Sequence, residues 1–153
     1  MNNKSDKYIM QILTLLGSGR LPYAPGTWGS LLAMLFFFIP PLIKPYICLV
    51  FIIYFWVISV PLINEVEEEY GDDPSFIVID EAIGIWLMLM APITYESYFW
   101  AGLGFVYFRV FDILKPFPIS YFNNRKGGNY VILDDVIASI LSIIALYLTY
   151  FFI

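Results

Sequence analysis

Five carboxylates stand where apolar runs meet polar links: Asp80, Glu81, Asp112, Asp134 and Asp135. Charges so close to hydrocarbon are costly unless something positive meets them. Asp80 and Glu81 break the run from Phe76 to Met90, and Gly84 follows one turn later. Asp134 and Asp135 open the last apolar run. From Asp135 a stripe of Ala138, Ser139, Ser142 and Ala145 follows at helical spacing, as on the packed face of a membrane helix. Arg109 and Asp112, three apart, share a helix face and could simply pair. Taken singly, each group reads as an ion pair. Gathered at one depth, like charges need a cation, and an all-oxygen donor set suits magnesium, manganese or calcium rather than zinc. Asp80, Glu81, Asp134 and Asp135 are the candidate metal ligands, one of them free to act as base, with Asp112 in support.

The cations beside them could receive an anion such as a phosphate. Arg109 and Lys115 lie at the end of one apolar run, and arginine is the better bidentate partner. Arg20 precedes Pro22-Tyr-Ala-Pro-Gly-Thr-Trp-Gly-Ser30, where Pro25-Gly26 predicts a turn and Thr27 a helix cap. Backbone amides after Thr27 would complete a phosphate cradle at that helix start. The alternative reading of the segment is close packing, through a small-residue face of Gly26, Gly29, Ser30 and Ala33.

The chain has no histidine and one cysteine. A Ser-His-Asp triad and a phosphohistidine route are therefore excluded. Cys48 sits in an apolar run without the following arginine loop of a cysteine phosphatase, and reads as packing. What remains is metal-assisted attack on phosphorus. An aspartyl-phosphate has no Asp-x-Asp motif to support it.

Elements must bring these residues together from distant parts of 153 residues. Apolar residues make up 60 % and charged ones 14 %, against about 25 % charged in soluble domains. A single all-α domain over residues 1–153 is expected, a polytopic membrane bundle of four to five short transmembrane or re-entrant helices. Five apolar segments are legible: 28–39, 46–63, 76–90, 98–114 and 131–153. Met10 to Leu16 could pass for the core of a secretory signal, but is at the short limit and reads better as part of the domain. If each segment crosses once, lysines and arginines divide seven to one, with Lys44 alone on the far side. Acidic residues divide twelve to one, with Glu96 alone there. The positive-inside rule makes the crowded side cytoplasmic. Asp72, Glu65 and Glu67 to Glu69 read as a solvated acidic face.

Four blocks then resemble one family. They are Gly19 with Pro22-x-Ala-Pro-Gly-Thr-Trp-Gly-Ser30; Asp73-Pro74 with Val78-Ile-Asp-Glu81 and Gly84; Phe108-Arg-x-Phe-Asp-Ile-x-Lys-Pro116; and Lys126-Gly-Gly128 with Leu133-Asp-Asp135. In this order they resemble the phosphatidylglycerophosphatase A family. The resemblance implies a Mg²⁺-dependent membrane enzyme that hydrolyses phosphatidylglycerophosphate to phosphatidylglycerol and phosphate. It also implies a bacterial inner-membrane location with the active face towards the cytoplasm. The expected partners are the bilayer and its phospholipid substrate, with no nucleic acid; a homo-oligomer is compatible. Competing readings are a small cation transporter or channel subunit, a phosphatidyl-group transferase and a structural subunit. A transport path needs polar groups through the full depth, whereas here they stop at one face. The transferase pattern Asp-x-x-Asp-Gly-x-x-Ala-Arg is absent, and a structural subunit leaves the converging charges unexplained.

Overall fold

The computed structural model describes residues 4–153, and every regular element among them is helical. Seven α-helices follow in order: α1 (Lys4–Leu13), α2 (Pro25–Ala33), α3 (Lys44–Tyr70), α4 (Ile79–Met88), α5 (Tyr98–Leu114), α6 (Ile119–Asn123) and α7 (Gly128–Phe152). Single 3₁₀ turns at Ser18–Arg20, Met34–Phe38 and Pro92–Tyr95 join some of them.

Among the described residues, only α3 and α7 are long and apolar enough to cross a membrane. At 27 and 25 residues they extend about 40 Å, beyond a hydrocarbon core of about 30 Å. Just 17 % of the apolar window of α3 is buried, so most of its surface needs lipid rather than protein as neighbour. The apolar segment ending at Ile63 is not where the helix ends: α3 continues through Pro61 and Glu65–Glu69 to Tyr70. Hydropathy marks where lipid stops, and Glu propagates a helix well outside it. Glu65, Glu68 and Glu69 are exposed there, as a solvated face requires.

The short helix α4 is the hub. Its ten residues span about 15 Å, half the hydrocarbon thickness, yet eight of them are buried. It packs against α2, α3, α5 and α7. Without a hydrophobic force between helices in lipid, close packing must hold them. Two devices supply it. The aromatic group Phe36, Phe51, Phe55 and Trp86 has ring centroids 4.9–5.5 Å apart around Trp86, each pair worth about 1 kcal/mol beyond burial. The second is small residues at crossings. A methyl on Gly84 would stand 2.5 Å from Phe108 Cε2 and 3.1 Å from the Asp135 carbonyl. Gly84→Ala is therefore expected to destabilise by about 1–3 kcal/mol through overpacking, read as a lowered denaturation midpoint in detergent.

The stripe of α7 behaves as its spacing predicts as far as Ser142, while Ala145 beyond it is only half-buried. Asp135, Ala138, Ser139 and Ser142 are buried, and Ser142 Oγ donates to the Gly104 carbonyl on α5 at 3.4 Å. On α2, the buried residues are Gly26, Gly29, Ser30 and Ala33. Cys48 is buried in the core.

Candidate active site

The first turn of α4 places Asp80 and Glu81 where the positive end of the helix dipole favours carboxylates. The segment of chain before it is fixed at both ends. Asp73 is left-handed (φ 47°) and its N–H donates to Glu67 Oε1 at 3.1 Å. At the other end the Val78 N–H donates to the Leu13 carbonyl at 2.9 Å. Asp135 projects from the second turn of α7 into the same space. Carboxylate oxygens of Asp80, Glu81 and Asp135 lie within 4.8 Å of one another. Asp80 Oδ1, Glu81 Oε2 and Asp135 Oδ2 are buried without a hydrogen-bond partner.

Asp112 sits in the last turn of α5, the unfavourable end for a carboxylate, and Arg109 offsets this. Arg109 Nη1 is 2.6 Å from Asp112 Oδ2 and 3.9 Å from Glu81 Oε1. The same nitrogen donates to Ser30 Oγ at 3.2 Å, while Ser30 donates to the Gly26 carbonyl at 2.7 Å. Arg109 Nε remains buried and unpartnered. The pairing of Arg109 with Asp112 is thus real, but it leaves part of the guanidinium free.

Lys115 and Asp134 take a different arrangement. Lys115 caps α5 in the left-handed region (φ 43°), a conformation that costs a non-glycine residue about 1–2 kcal/mol. That turn aims its ammonium at Asp134 Oδ2, 2.6 Å away, and at Asn123 on α6. Burial works to lower the Lys115 pKa, but the Asp134 carboxylate, with Asp135 and Asp112 behind it, overcomes this and raises it. The ammonium is therefore charged at neutral pH. Asp134 Oδ1 accepts the Asp135 N–H at 3.1 Å. Both Asp134 oxygens are engaged, so it stands beside the carboxylate triad and holds Lys115. Lys115→Met would leave a buried carboxylate unpaired. Discounted for the partial exposure of the lysine, a loss of about 2 kcal/mol is expected, checked by chemical denaturation, with Asp134→Asn recovering most of it in the double variant.

A cavity of about 250 Å³ opens between these groups, lined by Gly26, Asp73, Ser75, Asp80, Glu81, Asp112, Lys115 and Asp135 among others. Five carboxylates and the Lys115 ammonium line it, and Arg109 adjoins it through its ion pairs with Glu81 and Asp112. The structure thus brings together Asp80, Glu81, Asp112, Asp134, Asp135, Arg109 and Lys115. It does not bring in Arg20, which is exposed at the end of its 3₁₀ turn, or Thr27. Thr27 caps nothing: α2 begins at Pro25 with Ala24 as its N-cap, and the Thr27 N–H bonds the Ala24 carbonyl at 2.9 Å. The fixed φ of proline suits the first helical position, which moves the helix start three residues earlier than expected. Residue types alone missed Ser30, Asp73, Ser75 and Asn123; only Ser30 and the Asp73-Pro74 turn had a signal, as members of the motif blocks.

A family profile described as phosphatidylglycerophosphatase A matches residues 11–150. Proteins named phosphatidylglycerophosphatase A from Escherichia coli K12 and Haemophilus influenzae are each 37 % identical to the chain. The match covers 86 % of this chain in both, with 77 % and 82 % of the relatives. A Bacteroides thetaiotaomicron protein, provisionally named a phosphatidylinositol-3-phosphatase, is 36 % identical over 86 % of each chain. No solved structure matches significantly. A lipid-facing helical fold, a buried acidic site and a family match over nearly the whole length agree: the chain belongs to the phosphatidylglycerophosphatase A family of lipid phosphatases.

Proposed function

We propose that the protein removes the terminal phosphate of phosphatidylglycerophosphate, giving phosphatidylglycerol and phosphate, with Mg²⁺ at the triad. The observation that carries this reading is the set of buried, unpartnered atoms of both signs on residues linked by ion pairs at this site. Three carboxylate oxygens lack a donor and Arg109 Nε lacks an acceptor. Buried polar groups are seldom left so. A divalent cation and a phosphate together would satisfy both sets, and an all-oxygen donor set of Asp80, Glu81 and Asp135 fits a hard cation.

Bound there, the ion would screen the phosphate charge and make a water more acidic. The chain's own groups have separate tasks. Arg109, held by Asp112 and Ser30, offers its free edge to the phosphate. Lys115 adds positive charge at the wall while restrained by Asp134. A carboxylate of the cluster takes the proton of the attacking water and returns it to the departing glycerol oxygen. Asp134 supports rather than ligates. The site end of the bundle faces the cytoplasm of a bacterial inner membrane in this reading, on the seven-to-one division of cations and the positive-inside rule. With polar groups gathered at that end, the transporter reading gains no support.

The relatives' two names converge chemically. In phosphatidylglycerophosphate and in phosphatidylinositol 3-phosphate alike, three carbons separate the phosphomonoester from the lipid phosphodiester. The deciding experiment measures phosphate release by purified protein in detergent micelles from both lipids, with Mg²⁺ and with EDTA. Metal-dependent release from phosphatidylglycerophosphate is expected. Preference for the inositol lipid would move the assignment to the function in the Bacteroides name, and release unaffected by EDTA would remove the metal.

A further inference from the structure

α3 runs about two turns past its apolar stretch, and that extension touches both chains that deliver the carboxylates. Asn64 Oδ1 accepts the Gly128 N–H at 2.7 Å. Gly128 opens α7, and the N-cap Gly127 has no side chain to satisfy the free amides there. An added methyl on Gly128 would stand 2.6 Å from the Val60 carbonyl oxygen, so α7 is seated directly on α3. Glu67 lies one turn on from Asn64, on the same helix face, and reaches the other chain. Its backbone carbonyl accepts the Gly71 N–H at 3.0 Å, and its Oε1 accepts the Asp73 N–H at 3.1 Å. The turn out of α3 thus wraps around a single residue.

We infer that Glu67 is a positioning residue for the active site, which holds Asp73 left-handed and so fixes the cavity wall formed by Asp73, Ser75 and Ile77. The inference rests on the phosphatase reading above and gives a task to a side chain that sequence alone counts as part of a solvated acidic face. The left-handed region disfavours any residue with a β-carbon, and such strain persists only where the surroundings impose it. Other ties to this segment leave the Asp73 backbone free. Phe76 stacks edge-on against Tyr70 with ring centroids 5.4 Å apart, four residues from the end of α3. The Asp72–Lys126 pair at 2.8 Å is largely exposed on both sides, and such pairs contribute little. Without the Glu67 acceptor, Asp73 relaxes towards the right-handed region and the arranged wall becomes about tenfold rarer. A substrate that binds only the arranged form then loses apparent affinity in the same proportion, while turnover at saturation is kept. Glu67 also shares an exposed cleft with Glu68, Asp72 and Lys126. A solvated acidic face would act there through charge, whereas a positioning residue acts through its acceptor oxygen.

The test follows phosphate release from phosphatidylglycerophosphate by the full chain in detergent micelles. Glu67→Ala is expected to raise KM about tenfold and to leave kcat within about twofold. Loss of folded protein alone would lower kcat and leave KM in place. Glu67→Gln, whose amide oxygen accepts the same N–H, should bring KM back to within about twofold of wild type. In an Asp73→Gly background, whatever that change costs by itself, adding Glu67→Ala should alter KM by less than about twofold, because glycine takes the left-handed backbone unaided. Hydrogen exchange across residues 71–78 does not depend on turnover. It should quicken about tenfold in Glu67→Ala but not in Glu67→Gln, and Glu67→Ala should add little to it in the Asp73→Gly background. An unchanged KM in Glu67→Ala, an equal loss in Glu67→Gln, or the same effect on the Asp73→Gly background would each overturn the inference. If wild type released phosphate from neither lipid, the phosphatase reading would fail, while the exchange rates would still decide whether Glu67 holds the wall.

Discussion

Asp80→Asn is expected to cut metal-dependent phosphate release by about 10²–10³-fold, the loss typical of removing one group that meets transition-state charge. The same change is expected to raise the unfolding midpoint of the metal-free protein. Both effects follow from one feature. Three carboxylates have oxygens within 4.8 Å of each other, and Asp80 Oδ1 has no partner. At such separations two like charges repel by a few kcal/mol even with an effective dielectric of about 20. Asparagine keeps the shape and removes one charge, so the metal-free cluster relaxes while its cation affinity drops. Added Mg²⁺ stabilises any folded state that binds it, and should therefore raise the midpoint of wild type more than that of the variant. Thermal unfolding in EDTA and in Mg²⁺, alongside phosphate release, gives all four numbers. Loss of stability together with activity would make Asp80 structural. Full activity would move the centre elsewhere.

Much of this site is legible in the chain because intramembrane charge is so constrained. Asp80-Glu81 and Asp134-Asp135 stand out against apolar runs, and the helical spacing of the small residues after Asp135 is enough to give its direction. What spacing cannot supply is the pairing. Asp134 and Asp135 are adjacent, yet one faces the triad and the other is held by Lys115. That division depends on a left-handed residue at Lys115 and on Asn123 in a five-residue helix inside the polar loop. Neither follows from periodicity, because a residue in the left-handed region that is not glycine is set by its tertiary surroundings. The small face of α2 is legible for the opposite reason: glycine, serine and alanine at helical spacing leave few alternatives to close packing. Its start is not, since Thr27 is a good cap by type and Pro25 a better first residue by geometry. Hydropathy understates the length of α3 because it reports solvent, whereas a helix needs only backbone hydrogen bonds and tolerable side chains.

Gly26→Ala tests how tightly that small face governs the chemistry. A methyl on Gly26 would collide with Glu81 Oε1, stand 3.0 Å from Glu81 Cδ and lie 3.2 Å from Arg109 Nη2. Either α2 retreats or the Glu81 side chain swings away. Retreat is opposed along the helix: Gly29 fits so closely that its own added methyl would be 2.7 Å from Val78 Cβ, and Ser30 is tied to Arg109. Glu81 has rotatable bonds and no hydrogen bond to its buried Oε2, so it yields first. Displacing a reacting group by about 1 Å can cost about 10²-fold in rate, while overpacking at a yielding side chain should cost only about 1 kcal/mol. The expected result is a nearly inactive protein that unfolds close to the wild-type midpoint. Glu81→Asp separates the causes, because the shorter side chain withdraws from the space the methyl needs. In that background Gly26→Ala should add little further loss, and the two changes should be strongly non-additive. Simple multiplication of the two losses would show instead that α2 itself had moved, with Ser30 and Arg109 carried off the site.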